Sequence, residues 1–343
     1  MQYKPLQEVI TLQRGFDLPT VRRNGGPIPV IGATGVVGWH DESKVDGPVV
    51  TTGRSGVVGG SHWSRNAAWP LNTSMYVKDF KGNNPRFIYY ALKTIDFTGF
   101  DSGSAQPSLN RNYIANLSFP CPSKEEQEYI AEILGSVDDK IEANSRLIQS
   151  LTELVDAQII KANEYAAETI KVSDLAVHSK EQTLPSRATD GTVLHYSLPA
   201  FDAGAVPAKE EAELILSNKF VLSKPVVLFS KLNPGTPRIW MVEPDAERFN
   251  FASTEFVVLE PKEGVGLGAL WAACRDPRVS QKLSEFARGT SSSHQRVSPK
   301  DILESSIVVA GIPEEEATLI RKLIAENVSL AQARDLLIRQ LIG

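Results

Sequence analysis

The sequence predicts an α+β protein written twice. Two β-rich globular domains are each followed by a long helix, and the two helices pair as an antiparallel coiled coil. Three observations carry this reading. Blocks recur in the same order in the two halves, short β-rich runs are punctuated by Gly, Pro and Asn, and two stretches keep a heptad spacing of apolar residues.

The clearest recurring block closes each half. Gly103-Ser-Ala-Gln-Pro-Ser-Leu-Asn-Arg-Asn-Tyr-Ile114 is followed by an apolar stretch ending at Phe119-Pro-Cys-Pro122 and an acidic helix start. Gly289-Thr-Ser-Ser-Ser-His-Gln-Arg-Val-Ser-Pro-Lys-Asp-Ile302 is followed by Ile307-Val-Val-Ala-Gly-Ile-Pro313 and Glu314-Glu-Glu. Proline with acidic residues in the first turn suits a helix N-terminus, where one N–H is unpaired anyway and the dipole favours negative charge. Pro48-Val-Val-Thr-Thr-Gly-Arg-Ser matches Pro225-Val-Val-Leu-Phe-Ser-Lys, and Leu71-Asn-Thr-Ser-Met-Tyr-Val77 matches Phe251-Ala-Ser-Thr-Glu-Phe-Val257. The offset drifts from 177 at the prolines to 188 at the isoleucines, as loop insertions would cause. So long a period indicates a duplicated domain rather than a solenoid.

The globular parts span residues 1–122 and 171–312. Their strand candidates include Val49–Thr52, Met75–Val77, Val226–Phe229, Ile239–Val242 and Phe256–Leu259. Each part has one short helix candidate, near Pro85–Thr94 and Leu267–Phe286. Spacer helices occupy 123–170 and 313–343, with cores at Lys124–Glu164 and Glu314–Leu341. In the first, Ile130, Leu134, Val137, Ile141, Asn144, Ile148, Leu151 and Val155 alternate spacings of four and three. In the second, Leu323, Asn327, Leu330, Arg334, Leu337 and Leu341 do the same. At ~1.5 Å per residue the helices are about 60 and 40 Å long. Neither can bury its stripe on a small β domain alone, so mutual packing is expected, with the paired Asn residues fixing register. A helix lying on its own domain, or on a partner protein, is the alternative.

Composition narrows the class. The 343 residues are 42% hydrophobic and 22% charged, ordinary for a globular chain and enough for two or three domains. Two cysteines, Cys121 and Cys274, cannot build a disulfide framework. His40, His62, His178, His195 and His294 are dispersed and show no metal-ligand spacing. No apolar run reaches the ~18 residues of a membrane span, and no signal-peptide pattern is seen, so a cytoplasmic protein is expected.

Catalytic motifs are weak. Gly53-Arg-Ser-Gly-Val-Val-Gly-Gly60 lacks the strand–helix context of a dinucleotide loop and reads as turns. Asn84-Pro-Arg-Phe87 and Asn233-Pro-Gly-Thr236 lack the second proline and following aromatic of an adenine methyltransferase motif. What remains is polar loops rich in residues that hydrogen-bond bases and phosphates. In the first half these are Arg54, Ser55, Arg65, Asn66, Asn72, Ser104, Gln106, Asn110 and Arg111. In the second they are Lys231, Asn233, Arg238, Ser291, Ser292, Ser293, His294, Gln295 and Arg296. Solvated or helix-capping loops would use the same residue types.

Taken in order, these motifs resemble the specificity subunit of type I restriction–modification systems. The carriers are Leu6–Gly15, Pro29–His40, Val50–Gly59, Leu71–Val77, Gly103–Asn110 and Pro122–Gln127 in the first copy. In the second they are Lys224–Asn233, Ser253–Phe256 and Gly289–Pro299. The resemblance implies two target recognition domains, each reading half of a split site on double-stranded DNA, spaced by the coiled coil. It implies two methyltransferase subunits as partners, using S-adenosylmethionine for N6-adenine methylation, and restriction subunits using ATP with Mg. It implies no catalysis and no cofactor in this chain. The second helix begins Pro313-Glu-Glu-Glu-Ala317, a degenerate counterpart of the Glu-Glu-Gln start of the first, so the two docking faces need not be equivalent. A stand-alone enzyme or protein-binding scaffold on the same duplicated fold is the competing reading.

The net charge of −5 speaks against a generic polyanion binder until it is divided. Residues 1–122 carry +4, 123–170 carry −7, and 171–312 and 313–343 carry −1 each. The first globular part is basic, and the acidity lies on the first helix.

Overall fold

A computed structural model describes residues 2–100, 108–165, 169–286, 295–307 and 314–343. The chain divides into two compact units, Met1–Ile141 with Ser329–Gly343, and Glu142–Val328.

Unit 1 contains strands β1 (Tyr3–Pro5), β2 (Thr11–Arg14), β3 (Ile28–Gly32), β4 (Gly35–His40), β5 (Val49–Gly53), β6 (Gly59–Ser64), β7 (Trp69–Pro70), β8 (Ser74–Asp79) and β9 (Ser118–Pro120). Its helices are α1 (Leu6–Val9), α2 (Pro85–Lys93), α3 (Arg111–Ile114) and the first part of α4 (Lys124–Tyr165). One antiparallel sheet runs β2-β8-β5-β6, and a second runs β4-β3-β7 with β3 and β7 parallel. β5, Val-Val-Thr-Thr-Gly, is buried along its whole length, as its apolar and β-branched run requires of an inner strand. Asn84 caps α2 by accepting from the Arg86 and Phe87 N–H groups, with Pro85 at the first helical position. α2 buries Phe87 to Leu92, and these residues share a core with Leu134 of α4 and Ile338 of the C-terminal helix.

Unit 2 repeats the plan. Its strands are β10 (Ile170–Lys171), β11 (Ala176–Ser179), β12 (Gln182–Thr183), β13 (Thr192–Tyr196), β14 (Ala208–Glu211), β15 (Lys219–Val221), β16 (Val226–Ser230), β17 (Ile239–Val242), β18 (Asn250–Ala252), β19 (Phe256–Pro261) and β20 (Ser306–Ile307). Its helices are α5 (Val172–Leu175), α6 (Leu198–Asp202), α7 (Leu267–Cys274), α8 (Pro277–Phe286), α9 (Pro299–Leu303) and the first part of α10 (Glu314–Leu341). The sheet β11-β19-β16-β17 reproduces β2-β8-β5-β6 strand for strand, again antiparallel. β13 pairs parallel with β18 as β3 does with β7, and β10–β20 repeats β1–β9. β12 and β15 have no counterpart and widen the second sheet to five strands, β12-β15-β18-β13-β14.

Two expectations need correction. The single helix expected near Leu267–Phe286 is two, because Pro277 cannot continue an N–H ladder. The break is held by buried Asp276, whose carboxylate accepts from the Arg278 guanidinium at 2.6 Å and from Asn163 Nδ2 at 3.0 Å. The match of Leu71–Val77 to Phe251–Val257 is two residues out of register. Thr52 pairs with Met75, and its counterpart Phe229 pairs with Val257, not with Glu255. A shift of two leaves every side chain on its original face, so the apolar pattern could not reveal it.

The long helices meet in both units. In unit 1, Arg334 Nη1 donates to Asp138 Oδ1 at 2.9 Å, and Tyr90 donates to Asp138 Oδ2 at 2.6 Å. In unit 2, Asn144 pairs with Asn327, and Gln158 Nε2 donates to Glu316 Oε1 at 3.5 Å. Residue numbers fall on one helix as they rise on the other, so the pairing is antiparallel. Val155, Leu323, Ala317 and Ile320 are buried, while Val137, Ile141, Ile148, Leu151, Leu330, Leu337 and Leu341 are partly buried.

The start of each long helix also latches a short one. Gln127, 1% exposed, accepts from the Asn84 N–H at 2.9 Å and donates to Asn83 Oδ1 and the Pro122 carbonyl. In unit 2 the Glu314 carboxylate accepts from the Gly268 and Ala269 N–H groups at 3.3 and 2.9 Å. The degenerate helix start thus keeps a cap on α7 with a different residue.

Candidate nucleic-acid interface

In unit 1 the candidate residues gather where β5 ends. The Arg54 and Ser55 N–H groups donate to the Thr73 carbonyl at 2.9 and 3.0 Å, and the Arg54 carbonyl accepts from Leu109 at 2.8 Å. This pins Arg54 between the loop before β8 and the segment after residue 107. Its Nη1 donates to the Asn72 carbonyl at 3.2 Å. A cleft of about 720 Å³ opens beside it, lined by Arg14, Phe16, Asp17, Arg54, Asn110 and Arg111 among others. Gly15 permits this wall, because a Cβ there would lie 2.2 Å from the Leu71 carbonyl oxygen.

Unit 2 repeats the arrangement. The Lys231 N–H donates to the Glu255 carbonyl at 2.8 Å, and the Lys231 carbonyl accepts from Val297 at 3.0 Å. Leu232 bridges Arg296 as Ser55 bridges Ser108. Lys231 therefore occupies the place of Arg54, the equivalence implied by the 177-residue offset. Asn233 takes a left-handed φ of 52°, and its N–H donates to the Gln295 carbonyl at 3.0 Å. Arg296 pairs with Glu255 at 2.9 Å. Burial holds the Lys231 ammonium below its usual pKa, and burial, then Lys180 and Lys231, lower that of His178, which is therefore neutral at pH 7.

Several candidates are already engaged. Arg65 pairs with Asp139 at 3.0 Å, and Arg238 grips Asp202 with two hydrogen bonds of 2.6 and 2.9 Å. Asn110 caps α3 by accepting from the Asn112 N–H at 3.0 Å. The Asn66 carbonyl accepts from Ser64 Oγ, and Asn72 Nδ2 donates to Asp17 Oδ1. Ser104, Gln106, Ser291, Ser292, Ser293 and His294 lie outside the described residues. Arg14 and Asp17 were not singled out from the sequence. Their signal was a pair of opposite charges on either side of Gly15-Phe16 at the end of a short strand. No cluster of three or more His, Cys, Asp or Glu residues able to hold a metal occurs among the described residues. No helix among them is long and apolar enough to cross a membrane.

The fold has counterparts among known proteins. Residues 1–153 match the type I restriction modification DNA specificity domain. The chain is similar to the type I restriction enzyme EcoprrI specificity subunit of Escherichia coli, 28% identical over 127 residues, covering 37% of this chain and 30% of that protein. It is also similar to a Mycoplasma pneumoniae protein named as a type I specificity subunit, 26% identical over 163 residues, covering 45% of this chain and 51% of that one. The matched segments thus span a third to a half of these relatives. The crystal structure of a type I restriction-modification system S subunit from M. genitalium shares the fold across 100% of this chain and 96% of that one, with a TM-score of 0.58 at 16% identity. The resemblance read from the motifs holds, and the α+β fold with duplicated domains and paired helices is that of an S subunit.

Proposed function

We propose that the chain is the DNA-recognition subunit of a type I restriction–modification complex and catalyses nothing itself. Each unit reads one half of a bipartite duplex target. The paired helices set the gap between the halves, and they and the recognition domains receive two methyltransferase subunits that supply N6-adenine methylation from S-adenosylmethionine. Restriction subunits acting with ATP and Mg complete the assembly in the cytoplasm. The observation that carries this reading is the repeated placement of a cation, Arg54 or Lys231, at one turn of the same four-stranded sheet. A duplicated reader suits two half-sites, as dimeric repressors suit palindromes, and divergence of the copies makes the half-sites differ.

The spacer role is tested by inserting four residues into each long helix, about 6 Å of rise. With ~3.4 Å per base pair, the preferred gap should lengthen by one or two base pairs. An unchanged gap in a complex that still methylates contradicts the spacer role.

A further inference from the structure

The cleft of unit 1 holds a group that a simple phosphate trap would avoid. Asp17 lies among Arg14, Arg54 and Arg111, yet among the described residues it forms no ion pair with any of them. Its carboxylate is held instead by a neutral donor, Asn72 Nδ2. The carbonyl of the same Asn72 holds the Arg54 guanidinium at 3.2 Å. One asparagine therefore fixes an acceptor and a donor side by side, and Gly15 lets their loop lie against Leu71.

The rest of the cleft is arranged differently. The side chains of Arg14 and Arg111 make no hydrogen bond or ion pair with any described residue. Charges on untethered stems suit phosphate oxygens, which need attraction rather than fixed orientation. Base edges demand the opposite, because discrimination depends on a donor or acceptor held in place. A carboxylate is repelled by the phosphate backbone and accepts only from donors. The duplex presents such donors as exocyclic amino groups, and cytosine N4 is the usual partner of Asp or Glu in the major groove. Arginine complements guanine O6 and N7 on the same base pair.

We propose that Asp17 is a specificity-determining residue that accepts from the amino group of a cytosine in the first half-site. Arg54, set by the same Asn72, reads the paired guanine. Arg14 and Arg111 grip the flanking phosphates. This assignment rests on the DNA reading above and adds to it the base that one cleft takes.

The experiment is selection from a randomised duplex library by the full chain copurified with a type I methyltransferase subunit that assembles with it. Asp17→Asn keeps an oxygen acceptor for Asn72 but removes the charge. It should relax one C·G position of the first half-site about ten-fold or more, leaving the other half-site and the gap unchanged. Asp17→Glu keeps the carboxylate and should keep the preference for cytosine. Arg14→Ala and Arg111→Ala should weaken binding to all sequences alike, each lowering the salt slope by about one. A wild-type motif that Asp17→Asn leaves equally strict overturns the assignment alone. A wild-type complex that selects no sequence overturns the DNA reading, and the assignment with it.

Discussion

Asn144 Nδ2 donates to Asn327 Oδ1 at 2.9 Å, joining the two long helices through a residue only 3% exposed. Asn144 also donates to Glu326, and Asn327 donates to Ser145 Oγ. A buried amide that loses its partner is costly, so Asn327→Leu should destabilise the protein by about 1–3 kcal/mol. The double variant Asn144→Leu/Asn327→Leu should recover that loss and loosen helix register. Thermal unfolding, with cysteine cross-linking at flanking positions, reads both effects. A double variant as unstable as the single one contradicts the account.

Gly135 in the interior of α4 looks like a defect, since Gly costs about 1 kcal/mol against Ala in a helix. The Arg86 guanidinium occupies the space a Cβ would take, with its nearest atoms 2.7–2.8 Å away, and donates to the Gly135 carbonyl and the Asp139 carboxylate. Gly135→Ala should therefore lower stability by about 1–2 kcal/mol despite its better helix propensity, because bonds from a charged donor are lost. A stabilised variant would show that the Arg86 clamp is dispensable.

Arg86 also holds the Asp139 carboxyl below the usual carboxylate range, chiefly through its hydrogen bond. A depressed folded pKa means that the stability it confers is fully present above the unfolded value of about 3.9 and is lost as the pH falls through the folded value. Asp139 is 45% exposed, so solvent screening keeps the effect modest. The difference in melting temperature between wild type and Asp139→Asn should be constant from pH 7 to about 5 and close below pH 4. A difference that persists unchanged at low pH contradicts the assignment.

Arg54→Ala should weaken DNA binding and relax specificity about ten-fold or more at one guanine of the first half-site, with little change in thermal stability. Its side chain lies at the cleft, and the backbone pairing to Thr73 and Leu109 does not need it. Selection from a randomised duplex library checks this. Unchanged affinity and an equally strict motif would remove Arg54 from the interface.

The parts of this architecture that repeat were legible in the sequence. Pro48 and Pro225 lead into the equivalent strands β5 and β16, and the Asn residues at 144 and 327 announced the helix register. The pattern could not show β12 and β15, whose two and three residues are too short for alternation to register. Nor could it show the break at Pro277, where an apolar helix runs into an amphipathic one. At the candidate site, Arg54 and Lys231 were legible because the repeat aligned them. Arg14 and Asp17 were not, because the residues that complete their cleft come from beyond Gly53. Arg238 looked available until Asp202, 36 residues earlier in the chain, proved to be its partner.

The most direct measurement is sequencing for modified adenines in host DNA after co-expression of the chain with a type I methyltransferase subunit that copurifies with it. The account predicts a single new motif, methylated at N6 of adenine, with two unlike half-sites separated by a fixed unspecified gap. A soluble complex that leaves no such motif, or a motif with only one specified block, would contradict it.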